Sequence, residues 1–523
     1  MKSKEKIHQL FGAPTWIQKI SGRDVIEKKK LIYEIALSGD FEAIIPLSIL
    51  MISDSRLHGC CLKAVKNLIR LSGLKNLVSL ELRFRTSQWN YNSQWQHLSP
   101  KRLVHLINGS KDDALILGLL SFHGNGYIRE EAVRLLSQIN SGCEIPFLVL
   151  RINDWVPQIS KLAEESVKKR ITKRKMKMMT EIFWLISRLD GQERAQKTDI
   201  ASEFKNLYYQ DFDQIKKDLL TEDFLTRREI IKNFPDELIS KELVKICLRD
   251  KDCLVRSYAL AIMERHLSLW PDLVSHMIRS PYQNVRSKAV YFSTSLNDAP
   301  EKLKVLAFDK SNRIRESAVF YLKKIQKFNA REEYLARIPE PFAIESLSYH
   351  GNKQDIPLIV NLVSSERKKI RRAALTALGR ISGDDHEEFF VTCLDSDSDD
   401  VVISAVKQLI KLKAVIDPDD LIRRIKTCRK QVLLNLLKLT QNMNKIRKIL
   451  VLTDVYSKVK SESLRSQILV RRERSLDLSN PIYHVTDEER KLKLFLDQNS
   501  EIPDLLKYQI RSNIFYTGSG FAT

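Results

Sequence analysis

The chain has 523 residues, 43% of them hydrophobic and 8% aromatic, with a formal net charge of +22. Sixteen glycines and fifteen prolines are few for that length, which disfavours an all-β protein full of tight turns and suits long helices around an aliphatic core. The charge excess favours acidic or polyanionic partners over cationic ones. Seven cysteines (60, 61, 143, 247, 253, 393 and 428) form no CxxC pair, so free thiols and a reducing, cytoplasmic setting are expected.

Residues 1–24 read as an N-terminal cap, basic and without the continuous apolar run of a signal peptide. AIIPLSILMI (43–52) is apolar but only ten residues long, too short to cross a bilayer, so no membrane span is expected. It belongs to SGDFEAIIPLSIL (38–50), where a glycine is followed by an Ile-Pro pair; SGCEIPFLVL (141–150) and HGNKQDIPLIVNL (350–362) repeat the arrangement. Glycine closes one helix and proline fits the first turn of the next. Residues 83–99 break the apolar pattern as an insertion loop, whose Trp89, Tyr91 and Trp95 are candidate partner-binding side chains. The other reading tucks those rings against the nearest helix.

The phrase NGYIREEAV (125–133) returns as SNRIRESAV (311–319) and KKIRRAAL (368–375). On a helix, Ile128, Ala132, Leu136 and Ile139 share one face, as do Ile314, Ala318, Leu322 and Ile325. Ile370 and Val401 begin the same stripe, and the alanine leaves room for a neighbouring helix. Anchors at Ile128 and Ile159 are 31 residues apart; Val255, Val285 and Ile314 follow at steps of 30 and 29; Ile370 and Val401 are again 31 apart. A period near 30 is one helical hairpin, the unit of an α-solenoid. The solenoid is expected over 25–475, degenerate at 172–250, with a C-terminal cap and tail at 476–523.

Val255-Arg256 with Ala259, Val285-Arg286 with Ala289, Ile314-Arg315 with Ala318, and Ile370-Arg371 with Ala374 resemble the HEAT-like repeat family, in particular its short bacterial variety named after phycobilisome lyases. The resemblance implies an all-α solenoid of stacked antiparallel helix pairs wound into a right-handed superhelix, a scaffold class with many functions. Two enzymatic branches of that class can be tested on the residues. Deoxyhypusine hydroxylases need several His-Glu pairs, and only His386-Glu387 is present; the glycosylase branch finds only Asp154-Trp155. An arginine at each first turn is expected to pair with an acidic or carbonyl group of the adjoining unit.

Three basic clusters stand out as candidate polyanion sites. They are Lys168, Lys169, Arg170, Lys173, Arg174, Lys175 and Lys177; Arg367, Lys368, Lys369 and Arg372; and Arg423, Arg424, Arg429 and Lys430. DSDSDD (395–400) lacks the glycine and terminal glutamate of a calcium loop and reads as a capping turn. No phosphate-binding glycine loop, HExxH or GxSxG occurs. The expectation is a non-catalytic scaffold without cofactor, metal or small-molecule substrate, binding a protein through an extended concave surface. Its alternative is a nucleic-acid-binding solenoid using the three basic clusters.

Overall fold

The computed structural model describes residues 3–12, 23–86, 93–195, 198–459, 461–473, 487–500 and 502–514. Among them every regular element is a helix, and the chain is an all-α solenoid. Its contacts divide the expected single array into two compact units, Met1–Trp270 and Pro271–Thr523.

In the first unit α1 (Arg23–Ser38), α2 (Ile44–Ser53) and α3 (His58–Ser72) pack together. The apolar stretch is α2 itself, buried from Ile44 to Met51, as a helix that is apolar all round must be. Farther on come α4 (Asp113–Leu120), α5 (Gly126–Gln138), α6 (Ile145–Arg151) and α7 (Pro157–Lys168). Gly118 of α4 faces the Phe147 ring of α6 so closely that a Cβ would lie 2.5 Å from it. Gly142, before α6, has φ 95°, as the helix-stop reading requires. Gly351 does not: its backbone is extended, and it serves by close approach, since a Cβ would meet the Leu347 carbonyl at 2.6 Å.

The stretch read as degenerate holds a regular hairpin, α8 (Phe224–Lys232) and α9 (Lys241–Cys247), ahead of α10 (Cys253–Arg265). Its anchor is the buried Thr226, 29 residues before Val255.

The second unit alternates shorter and longer helices. The short ones are α11 (Leu273–Ile278), α13 (Ala299–Leu306), α15 (Ala330–Leu335) and α17 (Ile356–Val363). Between and after them run α12 (Gln283–Ser293), α14 (Asn312–Ile325), α16 (Pro341–His350), α18 (Lys368–Ile381) and α19 (Asp399–Lys411), each packed on the next to form one layer. Every anchor is buried: Ile128, Ile159, Val255, Val285, Ile314, Ile370 and Val401. So is the alanine four residues on at 132, 259, 289, 318, 374 and 405. Burying each aliphatic anchor contributes roughly 1.5–3 kcal/mol, and neither helix of a hairpin achieves it without its neighbours. The stripe frays at its end, where Ile325, the last residue of α14, is exposed.

Candidate docking surface

The repeat arginines are the first candidates the structure settles. Arg129 is 1% exposed and forks onto Asp154, with Nε to Oδ2 at 3.0 Å and Nη2 to Oδ1 at 3.1 Å, while its Nη1 donates to the carbonyls of His123 and Gly124. Arg286 does the same with Asp309 (2.6 and 3.1 Å) and the carbonyls of Ser280 and Pro281. Arg371 forks onto Asp400 and the carbonyls of Ser365 and Glu366. Arg256 donates to the Asp250 and Lys251 carbonyls, and Arg315 reaches Ser346 and Glu345. The guanidiniums of Arg129, Arg286, Arg315 and Arg371 thus tie the turn before their own helix to the following repeat. Burial pushes the Asp154 carboxyl up; the hydrogen bond from Arg129 and the charge of Arg151 outweigh it and hold the group below its ordinary range. That engagement takes Asp154 out of the Asp154-Trp155 grouping as a reactive group. Sequence reasoning missed one member, Arg227, which forks onto Asp250 at 2.7 and 3.0 Å.

Two members of the basic clusters are corrected by burial. Arg170 is a core residue, held by Glu144 at 2.9 Å and by the carbonyls of Ser166 and Ser137. Arg424 is buried against the Val391 carbonyl, Asp395 and Asp420. Buried and engaged in this way, neither guanidinium is presented to a phosphate. Lys168 pairs with Glu164, and Lys175 donates to the Asn140 carbonyl. Lys169 is exposed, as are Lys173, Arg174 and Lys177 beside a cavity of about 470 Å³ shared with Tyr208, Asp211 and Phe212. Arg367, Lys368, Lys369 and Arg372 are exposed around the first turn of α18. Arg423 pairs with Asp420 and Arg429 with Asp399, and the Lys430 side chain lies outside those described. The acidic run at 395–400 serves these pairs: Ser398, at the N-cap of α19, makes no side-chain capping bond, while Asp395, Asp399 and Asp400 each take an arginine. Asp399 and Asp400 do sit in the first turn of α19, as a capping turn expects, and the ion pairs add to that role.

Trp95 is corrected too. It is 3% exposed, packs on Phe84 and His123, and its carbonyl lies 2.9 Å from His123 Nε2. An aromatic ring that size gains more from the core than from solvent. Trp89 and Tyr91 lie outside the described residues.

The α12–α19 layer brings together a set that sequence reasoning did not select. Six residues after each anchor position, Tyr291 on α12, Phe320 on α14 and Tyr349 on α16 stand 52%, 54% and 47% exposed. Each carries a cation over its ring: Lys288 at 5.6 Å from the Tyr291 centroid, Lys324 at 4.4 Å from Phe320, and Arg380 of α18 at 4.1 Å from Tyr349. The signal was present in AVYFS, AVFYL and LSYH. It was hidden because Ala343-Ile344 replaces the anchor and arginine of the third repeat. Equivalent positions on these successive packed helices thus each carry one exposed aromatic with a cation over it, a row called the ridge below.

Among the described residues no group of three or more His, Cys, Asp and Glu side chains is placed to hold a metal, and no helix is long and apolar enough to cross a membrane. The folded chain is a helical-repeat scaffold of the α-solenoid class. Residues 342–411 match a family profile described as HEAT repeats, so the repeats in that stretch are HEAT-like. No curated protein matches the chain. A solved structure described as "Structural Basis of Tubulin Recruitment and Assembly by Microtubule Polymerases with Tumor Overexpressed Gene (TOG) Domain Arrays" is 12% identical over 77% of this chain and 97% of that one, with a TM-score of 0.19. A superposition that loose bears on neither fold nor partner.

Proposed function

We propose that this chain is a non-catalytic scaffold that docks an extended, acidic segment of a protein partner on the Tyr291–Phe320–Tyr349 ridge. The repeats are read as the short phycobilisome-lyase-type variety, on their period of 29 to 31 residues. The observation that carries the docking reading is the cation over every ridge ring. Stacking of nucleic-acid bases needs free aromatic faces, and here one face of each ring already holds a lysine or arginine. Ring edges carry the positive end of the quadrupole. They and the cations suit carboxylates flanked by apolar side chains, and the chain's +22 charge draws such a segment in.

The test is fluorescence anisotropy with a labelled probe peptide alternating glutamate with leucine and phenylalanine, run beside oligothymidine across a salt series. The peptide is expected to bind, and Tyr291→Ala with Phe320→Ala to weaken it about tenfold or more, as loss of exposed aromatic anchors does. Arg380→Glu is expected to slow association chiefly. Tighter binding of oligothymidine, weakened by the same substitutions and falling steeply with salt, would replace this reading with the nucleic-acid one. Peptide affinity unchanged by the ridge substitutions would remove it.

A further inference from the structure

At the end of the ridge the chain folds a cleft of about 500 Å³ between the last turn of α14, the connection to α15 and the C-terminal end of α16. That volume lies within the roughly 300–1,000 Å³ of ordinary ligand sites. Its wall is cationic: Lys323, Lys327 and Arg331 line it with Tyr349 and His350. Of the acids close by, Asp355 and Glu316 are already engaged, while the exposed Glu332 acts on Arg331 from the next position in the chain. Asp355 is buried under the fork of Arg331, with Nε to Oδ2 at 3.0 Å and Nη2 to Oδ1 at 2.6 Å. Glu316 lies 2.9 Å from His350 Nε2. Lys323 and Lys327 are exposed and have no ion-pair partner among the described residues, leaving two uncompensated charges.

Donors are available as well as charge. A guanidinium has five N–H groups, and the Nη1 pair of Arg331 is not used by Asp355. Tyr349 Oη accepts the Asn312 amide at 3.0 Å, which leaves its own proton free to donate. Two ammonium groups on flexible stems with a guanidinium edge and a phenol match a tetrahedral dianion better than a single carboxylate.

We infer that this cleft is a phosphomonoester site. Two sources present that chemistry: a phosphorylated side chain of the segment docked on the ridge, with which the cleft shares Tyr349, or a small free phosphate. The first source rests on the ridge reading; the second does not. The experiment uses the full chain and the acidic probe peptide with a central serine, in plain and phosphoserine forms, together with inorganic phosphate followed by calorimetry. Phosphorylation of the probe is expected to tighten binding about tenfold, the size of one or two charge-assisted hydrogen bonds. Lys323→Ala with Lys327→Ala should erase that gain and leave the plain peptide's affinity unchanged, while Lys310→Ala, an exposed control, alters neither. Saturable binding of inorganic phosphate, lost in the double variant but with no advantage for phosphoserine, assigns the site to a free phosphate. No response to phosphate in either form overturns the inference. The plain peptide reports the ridge by itself, so the two readings fail separately.

Discussion

Substituting Arg129→Met removes one rung of the arginine ladder with little change in bulk. Asp154 would keep Arg151 Nη1 at 2.9 Å and the Val156 amide at 3.0 Å but lose both bonds from Arg129, and the carbonyls of His123 and Gly124 would lose their donor. Breaking a buried pair by removing one partner costs about 3–5 kcal/mol; the surviving Arg151 contact puts the expected loss near the lower end, about 3 kcal/mol. All six tryptophans (16, 89, 95, 155, 184 and 270) fall in the first unit, so a urea titration followed by their fluorescence reports that unit alone. The control is Lys216→Ala, which breaks the 2.6 Å pair with Glu242 on the surface and should cost under about 1 kcal/mol. The loss also has a pH signature. The native carboxyl is depressed, so its stabilisation is complete above the ordinary carboxylate range and fades as pH falls through it. Without Arg129, burial pushes the carboxyl up, and protonation in mild acid relieves the stranded charge. The gap between the two proteins should therefore narrow below about pH 5. A loss no larger than that of Lys216→Ala, or one indifferent to pH, would refute the idea that these arginines lock the repeats.

Three further outcomes follow from the same geometry. Gly118→Ala should cost about 1–3 kcal/mol by overpacking, since the new methyl would press on the Phe147 ring; an unchanged urea midpoint would show that α4 and α6 part easily. Asp252, hydrogen-bonded by Arg228 and by the amides of Val255 and Leu254, is held down to about 2. Asp252→Asn keeps the cap but loses the charge, so a deficit on the order of 1 kcal/mol at neutral pH, discounted for partial solvent contact, should vanish as pH falls toward that value. A deficit that persists in acid would place its origin in the cap. Burial pushes the Cys61 and Cys247 thiols up to about 12, whereas Cys143 and Cys253 are exposed. A chromogenic disulfide reagent should label 143 and 253 in the native protein and 61 and 247 only after unfolding; early labelling of Cys61 would contradict the packing of α2 on α3.

The apolar stripe was legible because burial repeats with the helical period: Ile314, Ala318 and Leu322 announce their face without any knowledge of a partner. The pairing role of Arg129 and Arg286 was also readable, since each belongs to the packing phrase rather than to a run of charge. Other features were hidden by substitution within the phrase. Thr226-Arg227 and Ala343-Ile344 keep the spacing but change the residue types, so two anchors went unseen, and with the second went Tyr349. Arg170 carried a signal that was overlooked: it lies eleven residues after Ile159, on the same stripe as Ala163 and Val167, and all of them are buried. A charge cluster looks uniform in sequence, while helix phase decides which member turns inward. The division after Trp270 leaves no such mark, because the interval from Val255 to Val285 is an ordinary 30.

The inward placement of so many guanidinium groups separates two kinds of electrostatics in one molecule. Dissolved ions reach the exposed ridge side chains freely but scarcely penetrate to the buried arginine pairs. On the docking reading proposed above, a rise in ionic strength would loosen a bound segment and leave the buried arginine pairs intact, so release would need no unfolding.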